Sequence, residues 1–328
     1  MTTEEFFKTL ASKVELTQSE ADRIAKKHNW LRKKLREKLS VEDDFLTGSY
    51  ARNTMIRPKD SEKFDIDFFL AFSRQDYGES ELVDLLKTVK AALDEIKSGD
   101  SDIEKIDDKQ RRSVGVIYKD NFQIDVVPAV QIEKDKLYKI FDKRTQAAVN
   151  SNPKLHGKNL TDTNDATASG LTKRLVPIAK MLKSWKREKC DYLKSFHLEL
   201  LVVEALKDEE ITSYSTGIAK FFNSVDLQSS LTDPANAENV IDAYLDEDGT
   251  KNDLLSLIAD ERKIANEAIE LENNGDDNGA VSKWKKIFEP KDDSQKGTNS
   301  GTFSTGPTLI NRTPSKPWCN VGFNAERQ

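Results

Sequence analysis

Two aspartates one residue apart, Asp65 and Asp67, lie inside "FDIDFFLAF", a run whose other members are almost all apolar. In an extended strand successive side chains point to opposite faces. Phe64, Ile66 and Phe68 then share a core face while Asp65 and Asp67 share the other, about 7 Å apart at ~3.3 Å per residue. A second strand pattern, "FQIDVVPAV", repeats the arrangement, with Phe122, Ile124 and Val126 on one side and Asp125 on the other. Three carboxylates over one face repel each other unless a cation neutralises them. Oxygen ligands of this kind suit a hard divalent ion such as Mg²⁺, which takes a few carboxylates together with substrate phosphates. Just upstream, "LTGSYARNTMI" carries Gly48, whose backbone can approach a phosphate closely, and Ser49, which adds a hydroxyl and an N–H. The plainer readings are a solvated strand face, although aspartate is a poor strand former, and an ordinary turn before a helix.

Basic groups follow on the C-terminal side. In "LTKRLVPIAKMLKSW" Leu171, Leu175, Ile178, Leu182 and Trp185 alternate at spacings of four and three, the buried stripe of a helix expected over 171–188. Lys173, Lys180 and Lys183 fall on another face, within about 80° at ~100° per residue. That face is either solvated or turned to a phosphate. Ser195 opens the apolar run "SFHLELLVVEAL". It is either an N-cap or a hydroxyl for a terminal phosphate, beside a helix N-terminus that favours anions.

Elements must hold these groups in place. Helix is expected over residues 3–40, with Thr17 and Glu20 in capping-box spacing and Ile24, Leu31 and Leu35 at helical intervals. A further helix is expected over 79–97, and "SVGVIY" and "FQIDVVPAV" flank "KDN" as a β-hairpin. From about residue 134 the strand signal fades, and "SNPKLHGKNLTDTNDATASG" reads as a polar connector. Helices then return at 171–188, in "SFHLELLVVEAL", and from about 236 to 289. Residues 290–328, rich in Gly, Ser, Thr, Asn, Pro and Lys, read as a flexible tail. The pattern is an α/β lobe followed by a helical lobe, with a cleft between them.

Composition excludes several classes. No run of 18 apolar residues occurs, so no membrane span is expected, and "MTTEEFFKTL" lacks the layout of a signal peptide. Cys190, Cys319 and the three histidines have no zinc spacing. Cys190 reads as a small apolar residue, and a reducing cytoplasm is the expected compartment. The net charge of −6 and pI near 5.4 argue against a dedicated nucleic-acid binder, despite the basic stretch "KKHNWLRKKLREK".

Taken together, "LTGSYARNTMI" and "FDIDFFL" resemble the Gly-Ser and Asp-x-Asp signature of the polymerase-β-type nucleotidyltransferases, and "FQIDVVPAV" resembles their third-aspartate strand. "SNPKLH", "LVPIAKMLKSWKRE" and "LKSFHLELL" narrow the likeness. They resemble the bacterial cyclic-oligonucleotide synthases related to cyclic GMP-AMP synthase and oligoadenylate synthase, the CD-NTase family of anti-phage signalling systems. The likeness runs from about residue 45 through "AVSKWKKIFEP". It implies an α+β fold: a polymerase-β-like nucleotidyltransferase lobe with a mixed sheet and flanking helices, plus a C-terminal helical lobe, the active site lying in the cleft. Residues 1–165 would form the first lobe and 166–289 the second.

The resemblance also implies roles. Asp65 and Asp67 would bind two Mg²⁺ ions with the donor triphosphate, and Mn²⁺ could substitute. Asp125 would share a metal and help deprotonate the attacking ribose hydroxyl. Gly48 and Ser49 would cradle phosphates, Lys183 and Ser195 would hold the β/γ end, and Lys180 is a weaker candidate for that task. Ribonucleoside triphosphates would be the substrates, and a released cyclic di- or trinucleotide would activate a separate effector protein. The zinc insertion with which the animal DNA sensor grips duplex DNA has no counterpart here, which argues against activation by DNA. A regulatory or tail-modifying protein partner is left open, since "KPWCNVGFNAERQ" matches nothing in the family pattern. Three alternatives stand beside this reading: transfer of one nucleotide to an RNA, protein or small molecule; an inactive nucleotide-binding sensor; and glycosyl transfer through Asp-x-Asp, which leaves Asp125 unexplained.

Overall fold

Thr2 and Thr17 each accept the N–H of a glutamate three residues on, and that glutamate accepts the threonine N–H in return. These capping boxes open α1 (Thr3–Val14) and α2 (Gln18–Lys38) in the computed structural model, which describes residues 1–60, 62–78 and 81–289. The helix expected over 3–40 is therefore two, because the second box starts a new one at Thr17.

The sheet follows. β1 (Asp43–Thr47), the single-turn α3 (Gly48–Ala51), β2 (Phe64–Ser73) and α4 (Leu82–Ser98) lead to β3 (Ile103–Asp107), β4 (Val114–Tyr118), β5 (Phe122–Glu133), β6 (Leu137–Asp142) and β7 (Ala147–Ser151). The order is β1-β2-β5-β4-β3, with β6 and β7 added along the outer half of β5. Only β2 and β5 run parallel; every other pairing in this sheet is antiparallel. On one face Ile66, Phe68, Leu70, Ile124 and Val126 pack with Leu31 and Leu35 of α2 and Leu85 and Leu93 of α4. On the other, Phe69, Ala71, Val127 and Ala129 pack with Tyr138 and Ile140. β5 is thus buried on both faces, as a central strand with a parallel neighbour requires.

β6 and β7 were not expected from sequence. In "LYKIFD" only Tyr138, Ile140 and Asp142 alternate inward, and "AAVNS" has no buried face to betray it. The polar connector at 152–170 instead contains α5 (Pro153–Ala166), which Asn152 caps by accepting the Leu155 N–H at 3.1 Å and which Pro153 enters at the first position.

The remaining helices are α6 (Leu175–Lys189), α7 (Ser195–Leu206), α8 (Tyr214–Ser224), the short α9 (Ala243–Glu247), α10 (Lys251–Asn273) and α11 (Asp277–Phe288), interrupted by a hairpin of β8 (Thr232–Asp233) and β9 (Asn236–Val240). They build a second core around Trp185, Phe221, Phe222 and Trp284. α1 belongs to this core: Phe7 is fully buried, its ring 5.1 Å from Trp284 and 5.9 Å from Phe288. Residues 1–165 are thus not one packing unit, because the apolar face of α1 finds its partner among the helices.

α6 starts at Leu175, four residues later than the stripe predicted. Ser169 and Thr172 exchange backbone hydrogen bonds around Gly170 at φ +58°, and this tight turn leaves Leu171 fully exposed. Lys173 precedes the helix and pairs with Asp165 at 2.5 Å. Lys180 and Lys183 lie on α6 but are buried, so the solvated lysine face does not exist. The expected tail, 290–328, lies outside the described residues.

Candidate active site

β2 and β5 set the carboxylates by register. Asp67 stands opposite Asp125 and Asp65 opposite Gln123, so all four side chains project from the same face of adjacent strands. Asp125 is buried, and its Oδ1 accepts the side-chain amides of Gln110 at 2.5 Å and Gln123 at 2.6 Å. Gln110 is itself oriented, because its Oε1 accepts the Ser113 hydroxyl at 3.0 Å. Gly115, the β4 partner of Asp125, makes room for this approach: a Cβ there would stand 2.7 Å from the Gln110 amide nitrogen.

The turn after β1 leans on the same carboxylates. Thr47 pairs with Asp67, and the next residue, Gly48, takes φ +68°. A Cβ on Gly48 would fall 1.8 Å from Asp67 Oδ2, so the backbone approaches the carboxylate as only glycine permits. Ser49 follows in the single turn of α3, and its carbonyl accepts the N–H groups of Thr54 at 2.8 Å and Met55 at 3.0 Å.

Lys180 and Lys183 both reach this turn from α6. Lys180 Nζ donates to Glu15 at 2.6 Å and to Asn53 Oδ1 at 3.2 Å. Lys183 Nζ donates to the Thr54 carbonyl and hydroxyl, both at 3.0 Å, and pairs with Glu199 of α7. Burial by itself would raise the Glu199 carboxyl, but Arg52 and then Lys183 outweigh it and hold the group at about 2. Ser195 is the first residue of α7 and half-buried; the cap position belongs to Lys194, whose N–H donates to the Tyr244 hydroxyl at 2.9 Å.

A cavity of about 50 Å³ adjoins Asp67, lined with it by Thr47, Phe69 and Arg112 from the sheet side and by Asp233 and Asn239 from the β8–β9 hairpin. His156 of α5 meets Asp233 at 2.6 Å, and Asn239 donates to the same carboxylate at 3.2 Å, which ties the hairpin down. The carboxylate oxygens of Asp65, Asp67 and Asp125, which share one face, are of the kind that suits a hard cation. Because Gly48 has no Cβ, its backbone packs directly against Asp67 Oδ2. Among the described residues no three His, Cys, Asp or Glu side chains are drawn together as a metal cluster. The aspartates share a face rather than converge on a point.

Residues 1–164 match the model of the Second Messenger Oligonucleotide or Dinucleotide Synthetase domain, which is half of the chain. The chain belongs to this family. Along 93% of its length it is 26% identical to a cyclic AMP-AMP-AMP synthase of an Acinetobacter species, 90% of which is covered. An Escherichia coli CBASS oligonucleotide cyclase, CdnC, is 22% identical over 79% of the chain and 85% of its own length. Among solved structures, E. coli CdnC in complex with a HORMA protein overlays with a TM-score of 0.68 at 20% identity, covering 87% of this chain and 96% of that one. The Vibrio cholerae cyclic AMP-GMP synthase DncV, bound to a linear intermediate, gives 0.69 at 13% identity over 88% of this chain and 95% of its own. The α+β architecture expected from "FDIDFFL" and "FQIDVVPAV", and the family to which "SNPKLH", "LVPIAKMLKSWKRE" and "LKSFHLELL" narrowed it, are therefore borne out. Among the described residues no helix is long and apolar enough to cross a membrane.

Sequence reasoning passed over several of these synthetase residues. Gln123 was within reach, because it stands two positions before Asp125 and so shares its face. Glu199 carried a signal too, as an acid flanked by Leu198 and Leu200 in the apolar start of "SFHLELLVVEAL". Gln110 carried none, since it lies between strands where periodicity is silent.

Proposed function

We propose that this protein joins ribonucleoside triphosphates into a cyclic di- or trinucleotide that is released to act on a separate effector protein. The observation that carries the reading is the register of Asp67 opposite Asp125, with Asp65 on the same face and the Gly48 backbone against Asp67. Asp65, Asp67 and Asp125 would hold two Mg²⁺ ions, or Mn²⁺ in their place. Bound there, the ions would stabilise the entering and leaving oxygens of an in-line attack on an α-phosphorus. Gln110 and Gln123 fix the rotation of the Asp125 carboxylate, so that it meets an attacking ribose hydroxyl in one orientation. Gly48 and Ser49 receive the triphosphate on one side and Ser195 on the other.

The names of the Acinetobacter and E. coli relatives support a nucleotide product. The HORMA complex of the structural neighbour supports a protein regulator here as well. Two packing cores support a catalytic sheet lobe and a helical lobe that closes the pocket, with α1 carried by the second.

The test is stoichiometric. Purified protein with the four ribonucleoside triphosphates and Mg²⁺ should release one pyrophosphate per nucleotide joined and leave a product that phosphatase does not degrade, because a ring has no terminal phosphate. A product still carrying a phosphatase-labile end, or a label fixed to an added acceptor, would replace cyclisation by single-nucleotide transfer. Consumption of no triphosphate with either Mg²⁺ or Mn²⁺ would overturn the reading.

A further inference from the structure

Thr47 and Asn239 line the cavity beside Asp67 from opposite sides, one on the sheet and one on the β8–β9 hairpin. Thr47 is 7% exposed and Asn239 6%. Each carries a buried polar atom, the Thr47 hydroxyl and Asn239 Oδ1, with no hydrogen-bond partner among the described residues. A polar atom withdrawn from water and left unpaired costs stability, so two at one cavity need an explanation.

Neighbours fix what each residue presents. Thr47 stands opposite Asp67 on the adjacent strand, so the two side chains project from one face. The Asn239 amide nitrogen donates to Asp233 Oδ2 at 3.2 Å. Asp233 also meets His156 at 2.6 Å and accepts the Ala235 N–H at 2.8 Å. Burial works to raise the Asp233 carboxyl, but these hydrogen bonds and the His156 charge hold it below the usual carboxylate range. A carboxylate only accepts, so the Asn239 amide cannot be turned round, and its carbonyl oxygen is the atom left over.

A carbonyl oxygen accepts and a threonine hydroxyl can donate, and an alcohol satisfies both at once. Phosphate oxygens do not, because they offer Asn239 no proton. A volume of about 50 Å³ has room for one or two water-sized groups and not for the ring of a base. Ribose brings an alcohol of this size to the right place. Its 2′- and 3′-hydroxyls sit on neighbouring carbons, so when one meets the aspartates the other lies a single carbon aside.

We propose that Thr47 and Asn239 form a ribose-hydroxyl subsite, which takes the 2′- or 3′-hydroxyl of a bound nucleotide and selects ribonucleotides over their deoxy analogues. The inference rests on Asp65, Asp67 and Asp125 being the catalytic face.

Calorimetry of the full chain with ATP, 2′-deoxyATP and 3′-deoxyATP, with Ca²⁺ in place of Mg²⁺, reads this out. Wild type should bind ATP at least about tenfold more tightly than one of the two analogues, because the missing hydroxyl leaves Thr47 and Asn239 unpaired. Which analogue loses affinity identifies the hydroxyl that enters the cavity. Thr47→Val and Asn239→Leu, which keep the side-chain shape, should each bring ATP towards that analogue and leave the analogue's own affinity unchanged. Thr47→Ser retains the hydroxyl and should keep wild-type selectivity. Should Asn239→Leu fail to fold, the Thr47 pair carries the test. Equal binding of all three nucleotides by wild type, as a cavity that merely holds a water would give, overturns the inference. So does a Thr47→Val protein that weakens all three alike, which would assign the hydroxyl to structure. Wild type that binds none of the three overturns the nucleotide reading of this face, and the inference with it, a distinguishable failure.

Discussion

At Gly48 the backbone takes φ +68°, and a Cβ would stand 1.8 Å from Asp67 Oδ2. Gly48→Ala must strain the turn or push the carboxylate aside, and a displacement of about 1 Å costs on the order of 100-fold in rate. Turnover by that variant is expected to fall by that much while the circular dichroism spectrum stays native; a rate within threefold of wild type would show the approach to be incidental. Gln110→Leu removes one of the two amides that orient Asp125 and should lower turnover about 10- to 100-fold, with nucleotide affinity little changed. A rise in KM alone would instead assign Gln110 to binding. At this scale the three aspartates were legible because strand alternation gives each side chain a face, whereas Gln110 reaches Asp125 only through a loop and a gap left by Gly115.

Among elements, α1 shows how far local signals carry. Its capping box is local and readable, but its destination is not: Phe7 lands between Trp284 and Phe288 of α11, nearly the whole described chain away. Phe7→Ala should cost about 3–5 kcal/mol of stability, measured by urea unfolding, and loosen α6, α8 and α11 together. A loss under about 1 kcal/mol would mean that the helical core closes without α1. The stripe on α6 failed at Leu171 for a similar reason, because the turn at 169–172 is decided by Gly170 and not by apolar spacing.

The Glu199 cluster adds a pH dependence at the contact between the Gly-Ser turn and α7. Its carboxyl is held at about 2, below the ordinary 4.5, so the unfolded chain takes up the proton first as pH falls. Its contribution is complete above pH ~4.5 and is lost progressively as pH falls from there towards 2. Wild-type melting temperature should therefore drop more steeply across that window than that of Glu199→Gln. Parallel slopes would remove the cluster from the acid response.

For the whole molecule, the β8–β9 hairpin faces the Asp67 side of the sheet across the cavity, and the nucleotide chemistry proposed belongs to that side. The net charge of −6 gives no overall attraction for an anionic triphosphate, so local groups would have to draw the substrate in. The catalytic strands were readable around Asp65, Asp67 and Asp125, because those residues obey a strict alternation under a chemical constraint, and the family from "SNPKLH", "LVPIAKMLKSWKRE" and "LKSFHLELL" further along. The β6–β7 extension, α5 and the β8–β9 hairpin, which line or brace the cavity, were not, because the strands are short and α5 is polar, buried only at Pro153, His156 and Leu160.

The most direct measurement follows ribonucleoside triphosphate conversion by wild type, Asp65→Asn and Asp67→Asn in Mg²⁺, with products identified by mass spectrometry after phosphatase treatment. Each substitution keeps side-chain volume and removes the charge that would hold a cation. A cyclic product from wild type and at least about a thousandfold less from either variant, both folded, is the expected result. Product formed by either variant at the wild-type rate would contradict the assignment of this face as the catalytic centre.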